Sequence, residues 1–355
     1  MPAKGAPRRL QASRPAGLFR PAPGGLTGEK MKIAILDGQV LNPGDLDWSP
    51  ISSIGPTDIY GETRLEQMAE RTRDVDVVVH NKIPLRGEWL EAMSPSVKLV
   101  ALLATGYDNV DIQACARRGI PVCNVIAYGT DDVAQHTMAL LLELCRGVAG
   151  QSDEVRRGGW SRRNVWCYWL KTPVNLAGLT MGLVGFGAIG RKVGELAHAF
   201  GMKVLACCRT PKNPPSYTPF AFASMDQVFA ESDVISLHCP LTPETRGLVC
   251  AERIAEMKDG AYIVNAARGG LVCDADLARA LVEGKVAGFA TDVLSTEPPA
   301  EDNPLLAAPN AVITPHIAWA SVQSRQRIIR MVGENIRRWM AGTPVNVVNK
   351  PARQA

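Results

Sequence analysis

From Met31 onward the apolar positions fall into short unbroken runs separated by longer amphipathic stretches. That alternation predicts an α/β fold with mostly parallel sheets, because strands covered on both faces read as continuous apolar runs. The first runs are "KIAILDG", "DVVVHN" (residues 76–81) and "KLVALLAT" (residues 98–105). From Asp131 to Gly147 the period changes to that of a helix, with Val133, Leu140, Leu141 and Leu144 at helical spacing. After the Trp-rich "GGWSRRNVWCYWLKTP", read as irregular, a second series starts at Thr180. Its expected strands are "TMGLVGFG", "KVLACC", "VISLHC", "AYIVNAA", "AGFATDV" and "AVITPH", with helices over 188–200 and 274–283.

The last helix, Ser321 to about Ala341, carries Val322, Ile329, Val332, Ile336 and Met340 close to one stripe. It ends before "NVVN", which has no partner in the second series. The economical topology returns the C-terminus to the first series, so that a central domain is inserted into a discontinuous outer one.

At 355 residues, 46% hydrophobic and 21% charged, the chain has the length of about two domains. The formal charge of +4 changes meaning once it is located. Residues 1–30 hold six basic side chains against one acid, leaving 33 basic and 34 acidic residues in the remainder. The positive charge therefore gives no reason to expect a nucleic-acid partner for the folded part. The extension is rich in Pro, Gly, Ala and Arg, lacks the apolar core of a secretory signal, and reads as a disordered tail or as sequence upstream of a start at Met31. Its Arg-rich, acid-poor character also resembles that of an organelle transit peptide. The nine cysteines show no CxxC pair and no metal-ligand spacing, so reduced thiols, a cytoplasmic location and no metal are expected. The longest apolar run, near "MALLLELC", is too short to span a bilayer, and no membrane partner is expected.

Within the second series, "LVGFGAIGRKVGE" runs from strand to helix, and Gly185, Gly187 and Gly190 fit G-x-G-x-x-G. The first glycine allows the tight turn, the second lets backbone approach a pyrophosphate, and the third brings helix against strand. The helix start then faces the phosphates with free N–H groups and its positive dipole end. A dinucleotide site with NAD(H) normally has an acid at the end of the next strand; here Cys207, Cys208, Arg209 and Thr210 stand there. Lack of a carboxylate, with Arg209 available to a 2′-phosphate, favours NADP(H) over NAD(H).

Three more polar stretches close predicted strands: "NAARGG" with Arg268, "ATDVLSTEPP" with Asp292 and Glu297, and "ITPHIAWAS" with His316. Strand carboxyl ends line the ligand crevice of such sheets. An imidazole exchanges a proton with a carbonyl/alcohol couple, a carboxylate orients the imidazole, and a guanidinium clamps a carboxylate. Of the other histidines, His198 is read on a helix surface, His80 and His136 as structural, and His238 as following a buried strand.

In this order, "ATGYDNVD", "GFGAIG", "HCPLTPETRGLV", "NAARGGLVCDADLARAL", "DVLSTEP" and "TPHIAWAS" make the chain resemble the D-isomer-specific 2-hydroxyacid dehydrogenases from about Met31 to Asn349. Its "YGTDDVAQHT" and the Trp-rich segment look most like the glycerate dehydrogenase, or hydroxypyruvate reductase, branch. The resemblance implies two Rossmann-like domains, the dinucleotide-binding one inserted into a discontinuous flavodoxin-like substrate domain. The expected division is a disordered 1–30, substrate/catalytic parts at 31–126 and 317–349, and an NAD(P)-binding domain at 127–316. It also implies a homodimer, NAD(H) or NADP(H), and a small 2-oxo or 2-hydroxy acid as substrate.

By motif position Arg268 would hold the carboxylate and polarise the carbonyl, His316 would be the acid/base, and Glu297 its partner. Thr105 and Gly106, with Arg268 and His316, would contact substrate. Gly185, Gly187, Ala188, Ile189, Gly190, Cys208, Arg209, Cys239, Pro240, Ala266 and Asp292 would contact the cofactor. Glu297 differs from the Gln of the formate dehydrogenase branch. Asp132 stands where relatives commonly have a small residue, and Ala318 where Gly is common. Trp166 or Trp169 would reach a substrate pocket or serve in packing. Alternatives are a dinucleotide-sensing, corepressor-like interaction protein, and phosphoglycerate or D-lactate dehydrogenase within the family.

Overall fold

The computed structural model describes residues 31–349; the expected disordered extension, 1–30, lies outside the described residues. Among the described residues the chain forms two compact units, one from residues 31–128 together with 322–349, the other Gly129–Ser321. The junctions read from the sequence, 126/127 and 316/317, compare with 128/129 and 321/322 in the structure.

The first unit holds five parallel strands: β1 (Ile33–Ile35), β2 (Thr57–Ile59), β3 (Val77–His80), β4 (Leu99–Leu102) and β5 (Val122–Cys123). Their order is β2-β1-β3-β4-β5, the flavodoxin-like arrangement, with Ile33 beside Thr57 on one side and Val77 on the other. β1, β3 and β4 are buried throughout, as strands sandwiched by helices must be. β2 and β5 escaped the sequence reading because both are short edge strands with too few residues to show a period.

The helix Val322–Met340 belongs to this unit. Its Gly333 lies so close to the Ser49–Ser52 helix that a Cβ there would sit 2.2 Å from the Pro50 carbonyl oxygen. Arg325 reaches both carboxylate oxygens of Asp45 at 2.8 and 2.7 Å, and Asn335 donates to the Asn124 carbonyl at 2.8 Å. Beyond the helix, Val347 bridges antiparallel to Cys123, and the Asn349 side chain accepts from the Val122 amide and donates to the Ile120 carbonyl.

The second unit holds seven parallel strands: β6 (Thr180–Val184), β7 (Lys203–Cys207), β8 (Phe220–Phe222), β9 (Val234–Leu237), β10 (Ala261–Asn265), β11 (Val286–Thr291) and β12 (Ala311–Ile313). Their order, β12-β11-β10-β9-β6-β7-β8, is the doubly wound dinucleotide-binding arrangement with one added edge strand. The strand the sequence reading lacked is β8, a half-exposed "FAF" at the sheet edge.

The helix Thr130–Arg146 starts with Asp131 and Asp132 in its first turn and ends with Arg146, charges that complement its dipole; Gly147, at φ 56°, terminates it. It buries Ala134, Met138, Leu140, Leu141 and Leu144 against this sheet and the Ala188–Ala199 helix. The Trp-rich stretch differs from its irregular reading by a short helix, Gly159–Arg163. No helix of the described residues is long and apolar enough to cross a membrane.

Candidate active site

The glycine turn sits where β6 meets the Ala188–Ala199 helix, with its three glycines in three different environments. Gly185 has φ +102°, and a Cβ there would lie 2.7 Å from the His238 carbonyl carbon and oxygen, so the turn presses against the end of β9. At Gly190 a Cβ would strike the Gly185 carbonyl oxygen at 2.2 Å, which is the close approach of helix to strand. Around Gly187 nothing lies within 4 Å of the same position. The turn is thus packed at its first and last glycine and open at the middle one, the place where backbone must approach a pyrophosphate. These residues fit a dinucleotide.

Flanking positions have the following placements. Ala188 is exposed and Ile189 half-buried; Cys207 is buried, whereas Cys208 is half-buried and Arg209 exposed. Arg209 lies near Glu244, whose carboxyl is held below its ordinary value first by Thr242 and in smaller part by the positive charge of Arg209. Cys239 and Ala266 are half-buried and Pro240 is exposed. Burial pushes the Cys239 thiol up to about 11, so it stays protonated at neutral pH. His238 shares a 2.9 Å hydrogen bond with the Ser236 hydroxyl, and burial pushes its ring down to about 4.

The Arg268 turn is braced by Asn265, a buried side chain that sequence reasoning passed over. Its amide oxygen accepts from the Ala267 N–H at 3.0 Å and its amide nitrogen donates to the Arg268 carbonyl at 2.9 Å. The Arg268 guanidinium also donates to the Ala267 carbonyl at 2.7 Å. At the next residue, Gly269, a Cβ would overlap the Leu294 carbonyl carbon and oxygen at 1.9 Å. Backbone therefore packs directly on backbone, joining the turn that carries Arg268 to the segment leading into Glu297.

Glu297 and His316 are brought together: the Glu297 carboxylate lies 2.6 Å from Nδ1 of His316. With Nδ1 donating to that carboxylate, Nε2 is the nitrogen left for proton exchange. His316 itself sits at φ 56°, an uncommon conformation for a side chain other than glycine. Its N–H bonds to the carbonyls of Asp292 and Thr314 at 2.9 and 3.0 Å, and its carbonyl accepts from the Trp319 indole at 2.8 Å.

Asp292 organises this loop. Its backbone oxygen takes the His316 N–H; its buried carboxylate takes the N–H of Ile317 at 2.9 Å, the N–H of Ala318 at 2.8 Å and the Thr314 hydroxyl at 2.6 Å. Burial pushes the Asp292 carboxyl up, but the nearby His136 ring and the hydrogen bonds from Thr314, Ala318 and Ile317 outweigh it and hold it below the usual carboxylate range. His136, read as structural, has its Nε2 at 2.9 Å from the Thr314 hydroxyl and 3.5 Å from Asp292. His198 is not free on a helix surface: it is half-buried with its ring stacked 4.8 Å from that of Tyr217, because the segment before β8 folds back over the helix. In the first unit, Thr105 follows β4, exposed; its hydroxyl donates to the Val125 carbonyl at 2.6 Å and its carbonyl accepts from Asn124 at 2.7 Å. Half-buried Gly106 comes next.

Comparison with known proteins adds the following. Residues 138–318 match the model of the D-isomer specific 2-hydroxyacid dehydrogenase NAD-binding domain. The chain is 46% identical over 324 residues to a hydroxypyruvate reductase of Blautia hydrogenotrophica, covering 90% of this chain and 100% of that one. It is 38% identical over 285 residues to a glycerate dehydrogenase of Methylorubrum extorquens, covering 80% and 88%. Among solved structures, an NADPH-dependent glyoxylate/hydroxypyruvate reductase from Sinorhizobium meliloti, in complex with NADP and malonate, superposes with a TM-score of 0.77 at 27% identity over 92% of this chain and 100% of that one.

Proposed function

Because the chain belongs to the D-isomer specific 2-hydroxyacid dehydrogenase family, we propose that it interconverts hydroxypyruvate or glyoxylate with D-glycerate or glycolate, using a nicotinamide dinucleotide. The observation that carries this reading is the 2.6 Å contact between His316 Nδ1 and Glu297, which dedicates Nε2 to substrate. When bound, the dinucleotide supplies or accepts the hydride at the substrate's C2. Arg268 clamps the carboxylate and draws electron density from the carbonyl oxygen. His316 delivers the proton from Nε2 to that oxygen during reduction and removes it during oxidation, while Glu297 fixes the ring's tautomer and offsets its charge. Thr105 and Gly106 are further candidate substrate contacts.

The glycine turn, Ala188, Ile189, Cys239, Pro240, Ala266 and Asp292 would hold the cofactor. NADP(H) is slightly favoured, since no carboxylate follows β7 and Arg209 stands exposed beside Cys208. The nine thiols are free, which fits a reducing cytoplasm. A homodimer is supported by exposed Trp160, Val165, Trp166 and Trp169, the first three of which line an open pocket of about 510 Å³; light scattering reads that state.

The test is initial-rate oxidation of NADPH and NADH with hydroxypyruvate, glyoxylate and pyruvate. Wild-type protein is expected to turn over hydroxypyruvate, faster with NADPH, and Arg268→Ala to lose on the order of 10³-fold in kcat/KM. No turnover with any pair, or near-normal kcat/KM in Arg268→Ala, would overturn the reading; equal or better NADH rates would make Arg209 a bystander.

A further inference from the structure

We infer that Asp132 and His136, one turn apart on the same face of the Thr130–Arg146 helix, clasp the two ends of the loop that carries His316 and act as positioning residues for its proton transfer. The inference rests on the reading of His316 as the acid/base. At the far end of the loop the Ser321 hydroxyl donates to Asp132 Oδ2 at 2.9 Å. At the near end, the direction of the hydrogen bonds follows from counting protons. The Thr314 hydroxyl has one hydrogen, and Asp292 Oδ1, at 2.6 Å, takes it. Toward His136, 2.9 Å away, the same hydroxyl then only accepts, so His136 Nε2 carries a hydrogen. The sequence of donors is His136 to Thr314 to Asp292.

Three anchors result. Thr314 is held through His136, residues 316 to 318 through Asp292, and Ser321 through Asp132. Residues spaced four apart on a helix face the same way, which lets one rigid helix grip both ends of an otherwise irregular segment. That helix is fixed independently by its apolar face, with Met138, Leu141 and Leu144 in the core. The polar pair is therefore not required to hold the helix in place. Its effect falls on the loop, whose His316 occupies a left-handed backbone conformation with few alternatives for support. Misplacing a catalytic group by about 1 Å is enough to slow a reaction on the order of 10²-fold, so loose loop ends are read directly in kcat.

The decisive experiment is a pair of double-mutant cycles, His136→Leu with Thr314→Val and Asp132→Ala with Ser321→Ala, followed by kcat, cofactor Kd and thermal midpoint. Each single variant should lower kcat for hydroxypyruvate about tenfold, with cofactor Kd within about twofold of wild type, and each double should be no worse than its singles. His136→Gln and Thr314→Ser, which keep the donor and the hydroxyl, should recover most of the rate. Unchanged kcat, or additive losses that track the thermal midpoint, would overturn the clasp. With only five histidines in the chain, 15N spectra of labelled protein give a readout independent of turnover. His136 should show a protonated Nε2, and His136→Leu should shift the His316 ring signals. Absence of both effects sinks the clasp, whereas a wild-type protein that shows both yet reduces no 2-oxo acid sinks the dehydrogenase reading instead.

Discussion

The two units solve the same topological problem in opposite ways. In each parallel sheet the strand order reverses beside a central strand, β1 in the first and β6 in the second, and such a reversal opens a crevice at the strands' carboxyl ends. In the first unit a side chain of the protein fills it: Asp37, buried just past β1, accepts the N–H groups of Asn81, Lys82 and Ile83 at 2.7, 2.6 and 3.2 Å. Asn109 pins the same turn from its carbonyl side, at Asn81 and Ile83. In the second unit the equivalent place holds the glycine turn, open around Gly187. One switch point is filled by a side chain of its own; the other is left open. The fold provides a crevice in both, and only the residues decide which becomes a ligand site.

The largest expected break in this contrast is Gly187→Val. The added Cβ meets nothing within 4 Å, so the thermal midpoint should hold, while cofactor Kd, followed by fluorescence titration, should rise about 10³-fold. A wild-type Kd would mean that the open side of the turn is not where the dinucleotide lies.

Next in size is a pH effect that His238 contributes at the second unit's crevice, beside one of the same sign from His80, which burial lowers in the first unit. His238 has its folded value pushed down to about 4 from an unfolded value near 6.5, so the unfolded chain binds the extra proton between these limits. Stability is full above about pH 6.5 and falls by about 3 kcal/mol as pH drops toward 4. Urea unfolding across that window should show the slope in wild type and a flatter one in His238→Asn; parallel slopes would refute it.

Asp37→Ala supplies the mirror image of the glycine variant. Orphaning buried N–H groups should cost about 2 kcal/mol of stability with cofactor Kd unchanged. A loss of cofactor affinity equal to that of Gly187→Val would erase the distinction between the two crevices.

What the sequence made legible follows this division. The apolar runs of β3 and β4, the glycine turn, and the stretches with Arg268, Glu297 and His316 announce themselves, because each is a local pattern with its chemistry written in consecutive residues. The expected cofactor contact at Asp292 gave no hint that the same carboxylate winds the His316 loop around itself. His136 finds Thr314 across 178 positions, and nothing about a histidine in an amphipathic helix names so distant a partner. Asp37 likewise reads as an ordinary acid in a turn, since its three partners lie more than forty positions away. Asp132, noted as a departure from its relatives, acquires a reason only when Ser321 is seen beside it.

The return of Val347 and Asn349 to β5 also orders events in time. The second unit is continuous in sequence, so every strand of its sheet has been synthesised once Ile313 has emerged. The first unit starts earlier yet lacks its closing contacts: the amide of Val122 waits for Asn349, 227 positions later. On the ribosome, the unit that begins first is completed last, holding an unpaired sheet edge while the insert folds.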